Sequence, residues 1–331
     1  MTPRFEDILD AAGRLQGHAV ETPLLRSDAL DEAAEGRVFV KAEALQRTGS
    51  FKFRGAYNRL SRLSAWERRR GVVAYSSGNH AQGVAAAARL VGCPALIVMP
   101  ADAPRIKVEA TLGHGAEVVT YDRYTESRET IAESIAKERG AVLVPAFDDS
   151  FIIAGQGTVG LEAAQQLQAL GVQADRLLCP GSGGGLMAGV ALSFERLSPA
   201  TRLYVVEPQG YEDHATSLAA GRPVRVAAVA PSLCDALMAP EPGAITFAIN
   251  GPRLAGALAA TDEEALAAMA FAFRHLKLVL EPGGAIALAA LLNRRLARDK
   301  GVTLVIASGA NVDPAIYCRA LELNALAQVS G

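Results

Sequence analysis

The chain has 331 residues, half of them apolar and 21% charged, which is the usage of an ordinary folded protein with room for two domains and excludes a disordered or fibrous one. Its 33 lysines and arginines against 35 acidic residues leave a net charge of −2, so no global field draws it to nucleic acid or to an anionic membrane. The longest apolar stretch, 83–99, is broken by Arg89 and Pro94 and falls short of a membrane span.

From the amino terminus, Phe5, Ile8, Leu9, Ala12 and Leu15 share one helical face, which predicts an amphipathic helix rather than a signal peptide, and hence a cytoplasmic protein. Short β-branched runs predict strands at 38–41, 72–75, 95–99, 117–120, 142–144, 176–179, 202–206 and 302–306. Between them, 80–91, 125–139, 151–170, 186–197, 262–276 and 284–297 have helical length and spacing. This alternation predicts an α/β protein with parallel sheets. The stretch 221–250, with Pro223, Pro231, Pro240 and Pro242, lacks periodicity and reads as a surface excursion. Cys93, Cys179, Cys234 and Cys318 lie far apart with no C-x-x-C pair, so neither a disulfide framework nor a zinc site is expected.

Four motifs carry chemistry. After the strand at 176–179 comes PGSGGGLMAG, in which Gly181, Gly183, Gly184 and Gly185 with Ser182 open directly into an apolar helix. Such a loop leaves several N–H groups aimed at one spot beside a helix start, which suits a phosphate better than a bare tight turn. Gly183, Gly185 and Ala188 also fit G-x-G-x-x-A, and Glu207 ends the next strand, so this motif alone points to a nicotinamide dehydrogenase. A dehydrogenase has no use for the other three. Lys52 stands between Phe51 and Phe53, where apolar neighbours would desolvate its ammonium and lower its pKa, as a Schiff-base lysine requires. A lone lysine is ordinarily a solvated surface charge. Ser76-Ser77-Gly78-Asn79-His80 joins a buried strand to a helix, where it can cradle a carboxylate or act as a plain cap. Ser308-Gly309-Ala310-Asn311 follows the strand at 302–306, where a serine can meet a ligand in the crevice.

With these four motifs in this order, the sequence resembles the fold-type II pyridoxal phosphate enzymes of the serine/threonine dehydratase and serine racemase family, from the first helix to about Val312. The resemblance implies a large cofactor domain made of 1–67 and 149–331, with a small substrate-closing domain, 68–148, inserted in it, and a homodimer. It implies that Lys52 carries the cofactor and removes the Cα proton, that Phe51 packs beside the ring, and that Asn79 bonds the phenolic oxygen. The loop from Gly181 through Ser182, Gly183 and Gly184 to Gly185 would grip the phosphate, and Ser308 would face the pyridine nitrogen. Ser76, Ser77, Asn79 and His80 would hold the substrate carboxylate. Glu281 matches a position near the ring, with support of the following helix as its competing role.

Metal-dependent relatives imply that Glu207, the Tyr211 carbonyl and Asp213 bind Mg²⁺, Mn²⁺ or Ca²⁺, against the plainer reading of two solvated acids on a loop. His18, His114, His214 and His275 fit no ligand pattern and read as structural or surface histidines. The expected activity is dehydration and deamination of a small β-hydroxy amino acid, threonine or serine by family frequency, to a 2-oxo acid and ammonia. Two alternatives stand within the family. Ser77, opposite Lys52, implies serine racemisation, and Arg128 aligns with an arginine that would reach the far carboxylate of threo-3-hydroxyaspartate.

Overall fold

The computed structural model describes residues 2–76, 78–103, 105–227, 231–296 and 300–329, the last six as backbone only. Among the described residues ten strands form: β1 (Leu24–Leu25), β2 (Arg37–Ala42), β3 (Val72–Tyr75), β4 (Ala95–Pro100), β5 (Glu117–Tyr121), β6 (Val142–Leu143), β7 (Arg176–Pro180), β8 (Arg202–Pro208), β9 (Leu254–Ala260) and β10 (Val302–Ala307). They build a six-stranded sheet in the order β1-β2-β10-β7-β8-β9 and a four-stranded sheet in the order β5-β4-β3-β6. Every pairing is parallel except that of β1 with β2. The smaller sheet comes wholly from 72–143, and the larger one from strands on both sides of that stretch.

Both sheets are covered on both faces, which is why their strands read as unbroken apolar runs. Along β2, β7, β8 and β10, alternate residues enter two cores. Val38, Val40, Leu178, Val206 and Val305 pack under the helices Asp262–Phe271 and Pro282–Leu292. Phe39, Leu177, Cys179, Val205 and Leu304 pack under Ser150–Ala169 and Gly185–Leu197. The small sheet divides likewise, with Val72, Ala74, Ile97 and Met99 beneath the helix Asn79–Val91 and Val73, Leu96 and Val98 beneath Arg128–Arg139. Each sheet is thus the middle of three layers. None of the described helices is long and apolar enough to cross a membrane.

All eight expected strands form within two residues of their predicted ends, as do the helices expected at 80–91, 151–170, 186–197 and 262–276, the last ending in a π-turn; the helix expected at 125–139 starts only at Arg128, where Ser127 caps it, and that expected at 284–297 stops at Leu292. β9 went unread because LAGALAA holds no β-branched residue; pairing with the edge of β8, through a bulge at Leu203/Tyr204, makes it a strand. The stretch 221–250 is not the surface excursion its prolines suggested. Cys234, Thr246 and Asn250 are buried, and the helix Ala244–Asn250 is capped by Asp148, whose Oδ1 accepts from Ile245 N at 2.8 Å. Residues 228–230 lie outside the described part.

The helix Lys52–Ser61, also unread, is set against Ser150–Ala169 by glycine. A Cβ on Gly155 would fall 2.5 Å from the Arg54 carbonyl oxygen, so the two backbones touch where any side chain would part them. Arg54 then lies fully buried. Its guanidinium binds Glu43 through Nε and Nη2, each at 2.8 Å, and Glu162 through Nη1 at 2.6 Å and Nη2 at 2.8 Å. Lys41 Nζ meets Glu162 Oε2 at 2.8 Å and the Thr22 carbonyl at 2.6 Å. Arg54→Met leaves two inward carboxylates short of a partner and is expected to cost about 3–5 kcal/mol, read as a lowered urea midpoint. A loss under about 1 kcal/mol would show that this network does not hold the helix.

Candidate active site

β2, β10 and β7 lie side by side, and their carboxyl ends open into the Lys52, Ser308 and glycine-loop motifs; β3 of the other sheet ends in the Ser76–His80 turn. Ligands of open parallel sheets bind at such strand ends. Two of the loops are stitched together directly. Phe51 N donates to the Ser308 carbonyl at 3.2 Å, Ala310 N donates to the Gly49 carbonyl at 2.8 Å, and Ser50 bridges to Gly309. Thr48 takes a left-handed φ of 63°, unusual for a β-branched residue, and its carbonyl accepts from Asn311 Nδ2 at 2.8 Å.

Lys52 begins its helix, and its Nζ donates to the Ala146 carbonyl at 2.8 Å and lies 5.2 Å from the centre of the Phe51 ring. Among the described residues no carboxylate pairs with it, and burial pushes its pKa down to about 8. A Cβ on Gly83 would fall 3.1–3.2 Å from Lys52 backbone atoms, so the helix Asn79–Val91 lies against the lysine. His80 is buried with Nε2 at 3.0 Å from the Val144 carbonyl. Burial, then the Lys52 charge, holds its imidazole down to about 3 despite that hydrogen bond. Its side chain is therefore neutral, with Nε2 taken and Nδ1 buried without a partner among the described residues; what it can offer a carboxylate is the N–H of a helix first turn, which has no partner within the helix.

The glycine loop admits no side chain. A Cβ on Gly183 would lie 2.5 Å from the Phe147 ring, on Gly184 2.7 Å from His214 Nε2, and on Gly185 2.7 Å from Gln156 Oε1; on Gly181 it would overlap Val205. Gly184 needs its φ of 94° as well. The segment read as an excursion braces this loop. Thr246 Oγ1 donates to the Gly183 carbonyl at 2.6 Å, Asn250 Nδ2 to the Gly184 carbonyl at 3.2 Å, and Ala239 N to Ser182 Oγ at 2.9 Å. The Ala146–Phe147 pair stands between the lysine and this loop, one residue touching each.

Asn79 is held at both ends of its amide. Its Nδ2 donates to Glu281 Oε1 and its Oδ1 accepts from Asn311 Nδ2 at 2.8 Å. Glu281 is raised to about 7 by burial, against the pull of Lys107. Ser76 Oγ accepts from Gly78 N at 3.1 Å, Ser308 is nearly fully buried, and Ser77 lies outside the described residues. The Arg128 guanidinium is 5.4 Å from the centre of the Tyr75 ring, beside Ser76, and its Nε meets Glu129 at 2.8 Å.

Away from these groups, the two acids expected on a loop are buried, Glu207 at the end of β8 and Asp213 at the start of the helix Asp213–Ala220. Glu207 accepts from His214 N at 2.6 Å and Ala215 N at 3.0 Å, so it is closed to the ribose hydroxyl that a dinucleotide reading required. His214 is no surface residue: its Nδ1 lies 3.3 Å from Asp213 and 3.6 Å from Glu207. Although burial disfavours its charge, those two carboxylates raise it to about 9. The Tyr211 carbonyl accepts from Asp213 N at 2.9 Å. Lys107, Asp235 and His214 carried no sequence signal, since each is a lone polar residue in an unpatterned context.

The profile of the pyridoxal-phosphate dependent enzymes matches residues 15–309. A Pseudomonas L-threo-3-hydroxyaspartate ammonia-lyase is 43% identical over 96% of this chain and 98% of its own length. A Thermotoga maritima L-threonine ammonia-lyase is 40% identical over 93% and 76%. Among solved structures, maize serine racemase superposes with a TM-score of 0.90 at 33% identity, covering 99% of each chain. With parallel three-layer sheets, a desolvated lysine and a glycine cradle at one set of strand ends, this chain belongs to the pyridoxal-phosphate dependent enzymes, in the fold-type II family of serine/threonine dehydratases and serine racemases.

Proposed function

We propose that this protein catalyses β-elimination from a β-hydroxy amino acid, releasing a 2-oxo acid and ammonia. The observation that carries this reading is the Lys52 amine, desolvated, without a carboxylate partner among the described residues, and set between the glycine loop and the Asn79 turn. Loss of the Cα proton and the β-hydroxyl gives an enamine; its imine tautomer takes back one water on hydrolysis, so the reaction balances without an oxidant.

The groups present fit pyridoxal phosphate, since the glycines let the loop pack closely against Val205, Phe147, His214 and Gln156 with its backbone N–H groups at a helix start, and among the described residues the Ser182 hydroxyl only accepts, from Ala239 N, and keeps its proton to donate. Lys52 would hold the cofactor covalently, with Phe51 beside the ring, Asn79 at the phenolic oxygen, Gly181 to Gly185 around the phosphate and Ser308 at the pyridine nitrogen. When bound, the cofactor supplies a sink for the electron pair left on Cα, kept weak by a neutral hydroxyl at Ser308. Lys52 takes the Cα proton, and its lowered pKa leaves a useful fraction of free amine near neutral pH. Ser76, Ser77, Asn79 and His80 hold the α-carboxylate at the helix start. Residues 68–148 close over the crevice against 1–67 and 149–331, which excludes water.

Within this class, the place of Arg128 favours 3-hydroxyaspartate over serine and threonine. Its guanidinium lies over the ring of Tyr75, the residue before the Ser76 turn, and a β-carboxylate of a bound substrate would exchange for its exposed contact with Glu129. The hydroxyaspartate ammonia-lyase relative supports the same choice. Glu207, Asp213 and His214 would hold a divalent ion. Their ligating atoms lie within 4.8 Å of one another, and Asp213 Oδ2 is buried without a partner among the described residues. His214, on giving up its proton to the ion's charge, would add a nitrogen donor to the expected oxygens, and its Nε2 lies 3.2 Å from Asn250, the residue that braces Gly184. The ion would stiffen the glycine loop from behind.

Four outcomes follow from these assignments. Oxo-acid release is expected to rank 3-hydroxyaspartate above serine and threonine in kcat/KM, with Arg128→Ala lowering the first by about 10–100-fold and leaving serine within about 3-fold. An unchanged ranking would remove Arg128 from the site. Recovery of visible absorbance by apoprotein mixed with cofactor is expected to accelerate as pH rises, with a midpoint near 8 instead of 10.5, because only the free amine reacts. Lys52→Ala should take up no borohydride-fixed cofactor; a label retained elsewhere would place the reactive amine on another residue. Dialysis against chelator is expected to lower the Tm by a few degrees, restored by Mn²⁺. An unaltered Tm together with metal-free protein would refute the ion.

A further inference from the structure

The helix Arg105–Gly113 buries two side chains, Lys107 and Thr111, and the first of them is a cation. Lys107 is 3% exposed. Its Nζ lies 2.6 Å from Asp235 Oδ2 and 3.7 Å from Glu281 Oε2, and those acids raise its pKa although burial opposes its charge. The partners belong to the other body of the molecule. Asp235 sits in the turn Asp235–Leu237, whose neighbours Cys234 and Leu237 join the core of the six-stranded sheet, and Glu281 caps the helix Pro282–Leu292.

The same ammonium touches the candidate carboxylate turn, since a Cβ on Gly78 would fall 3.2 Å from Lys107 Nζ. One residue further, Asn79 reaches across to Glu281 and Asn311. A continuous chain of charged and amide groups therefore runs Asp235, Lys107, Glu281, Asn79, Asn311 and crosses between the two sheet units at every step. Burying a lysine here gains little stability over an apolar side chain, because desolvating the charges offsets most of their attraction. A buried pair of this kind acts instead by admitting only one relative placement of the groups that carry it.

We propose that Lys107 is a positioning residue whose ion pair with Asp235 and Glu281 latches residues 68–148 onto the rest of the chain, so that the Ser76–His80 turn faces Lys52 in the closed crevice. The ammonium is already paired and shut off from solvent, so it acts on the substrate through Gly78 and Asn79 and not by contact. This role deepens the reading of the site as one for an amino acid. The latch stabilises the closed arrangement that grips the carboxylate, and it leaves the cofactor's own ligands on the large unit untouched.

The test uses the holoenzyme of Lys107→Met, Lys107→Arg and Asp235→Asn. Lys107→Met and Asp235→Asn are each expected to raise KM for the best hydroxy amino acid about 10-fold or more while kcat stays within about 3-fold and cofactor content is unchanged; Lys107→Arg restores most of the loss. The double variant Lys107→Met with Asp235→Asn should be no worse than the poorer single variant, because both remove one interaction. Hydrogen exchange, which requires no turnover, should quicken at least 5-fold in 105–113 and 78–82 and stay as it was in β2, β7 and β10. Unchanged exchange in a folded Lys107→Met or Asp235→Asn protein, or single effects that multiply in the double variant, would overturn the latch. Faster exchange in a protein that releases no oxo acid from any hydroxy amino acid would retain the latch and refute the proposed reaction.

Discussion

Two cations two residues apart on one helix are treated in opposite ways, and the site depends on the difference. Arg54 points into the interior and is saturated by Glu43 and Glu162, so it stays charged and anchors the helix. Among the described residues, Lys52 is given the carbonyl of Ala146 and no carboxylate. A carbonyl dipole repays part of the cost of burying an ammonium and cannot repay all of it, so the free amine becomes accessible near neutral pH. Had a carboxylate stood where Ala146 does, Lys52 would be an inert ion pair.

Around that amine, parallel-sheet architecture does the assembling. β2, β7 and β10 deliver three loops to one edge because parallel neighbours must end on the same side, and the stitching of 49–51 to 308–310 makes two of those loops one structure. The strained backbone at Thr48 lies within this junction, held by Asn311. The second sheet brings the Asn79 turn to Glu281 and Asn311. Its contacts with Glu281, Asn311 and, through Lys107, Asp235 are polar and buried, which makes the approach specific in geometry without making it strongly cohesive.

Legibility followed local signal. The eight strands read from sequence are dense in β-branched and large apolar residues because both faces of each sheet are covered, and the four chemical motifs sit at their ends with glycine, serine and asparagine where turns require them. Elements whose state depends on a neighbour were missed. β9 is made a strand by the edge of β8, and the Lys52 helix packs where Gly155 allows its backbone to approach. The proline-rich stretch hides the bonds of Thr246 and Asn250 to the glycine loop, which no local pattern announces. His214 looked like any surface histidine until the fold set it between Glu207 and Asp213.

The sequence by itself determined the class of chemistry, because a lysine flanked by phenylalanines, a glycine-only loop before a helix and a serine after a buried strand are residue types that few other sites need together. Only the tertiary structure decided the charges on which that chemistry runs. The lowered Lys52, the neutral His80, the raised Glu281 and the paired Lys107 depend on burial and on partners up to 202 positions away, as Asn79 is from Glu281. Desolvation and Coulomb attraction act through distance in space, and position along a chain carries no measure of that distance until the chain has folded.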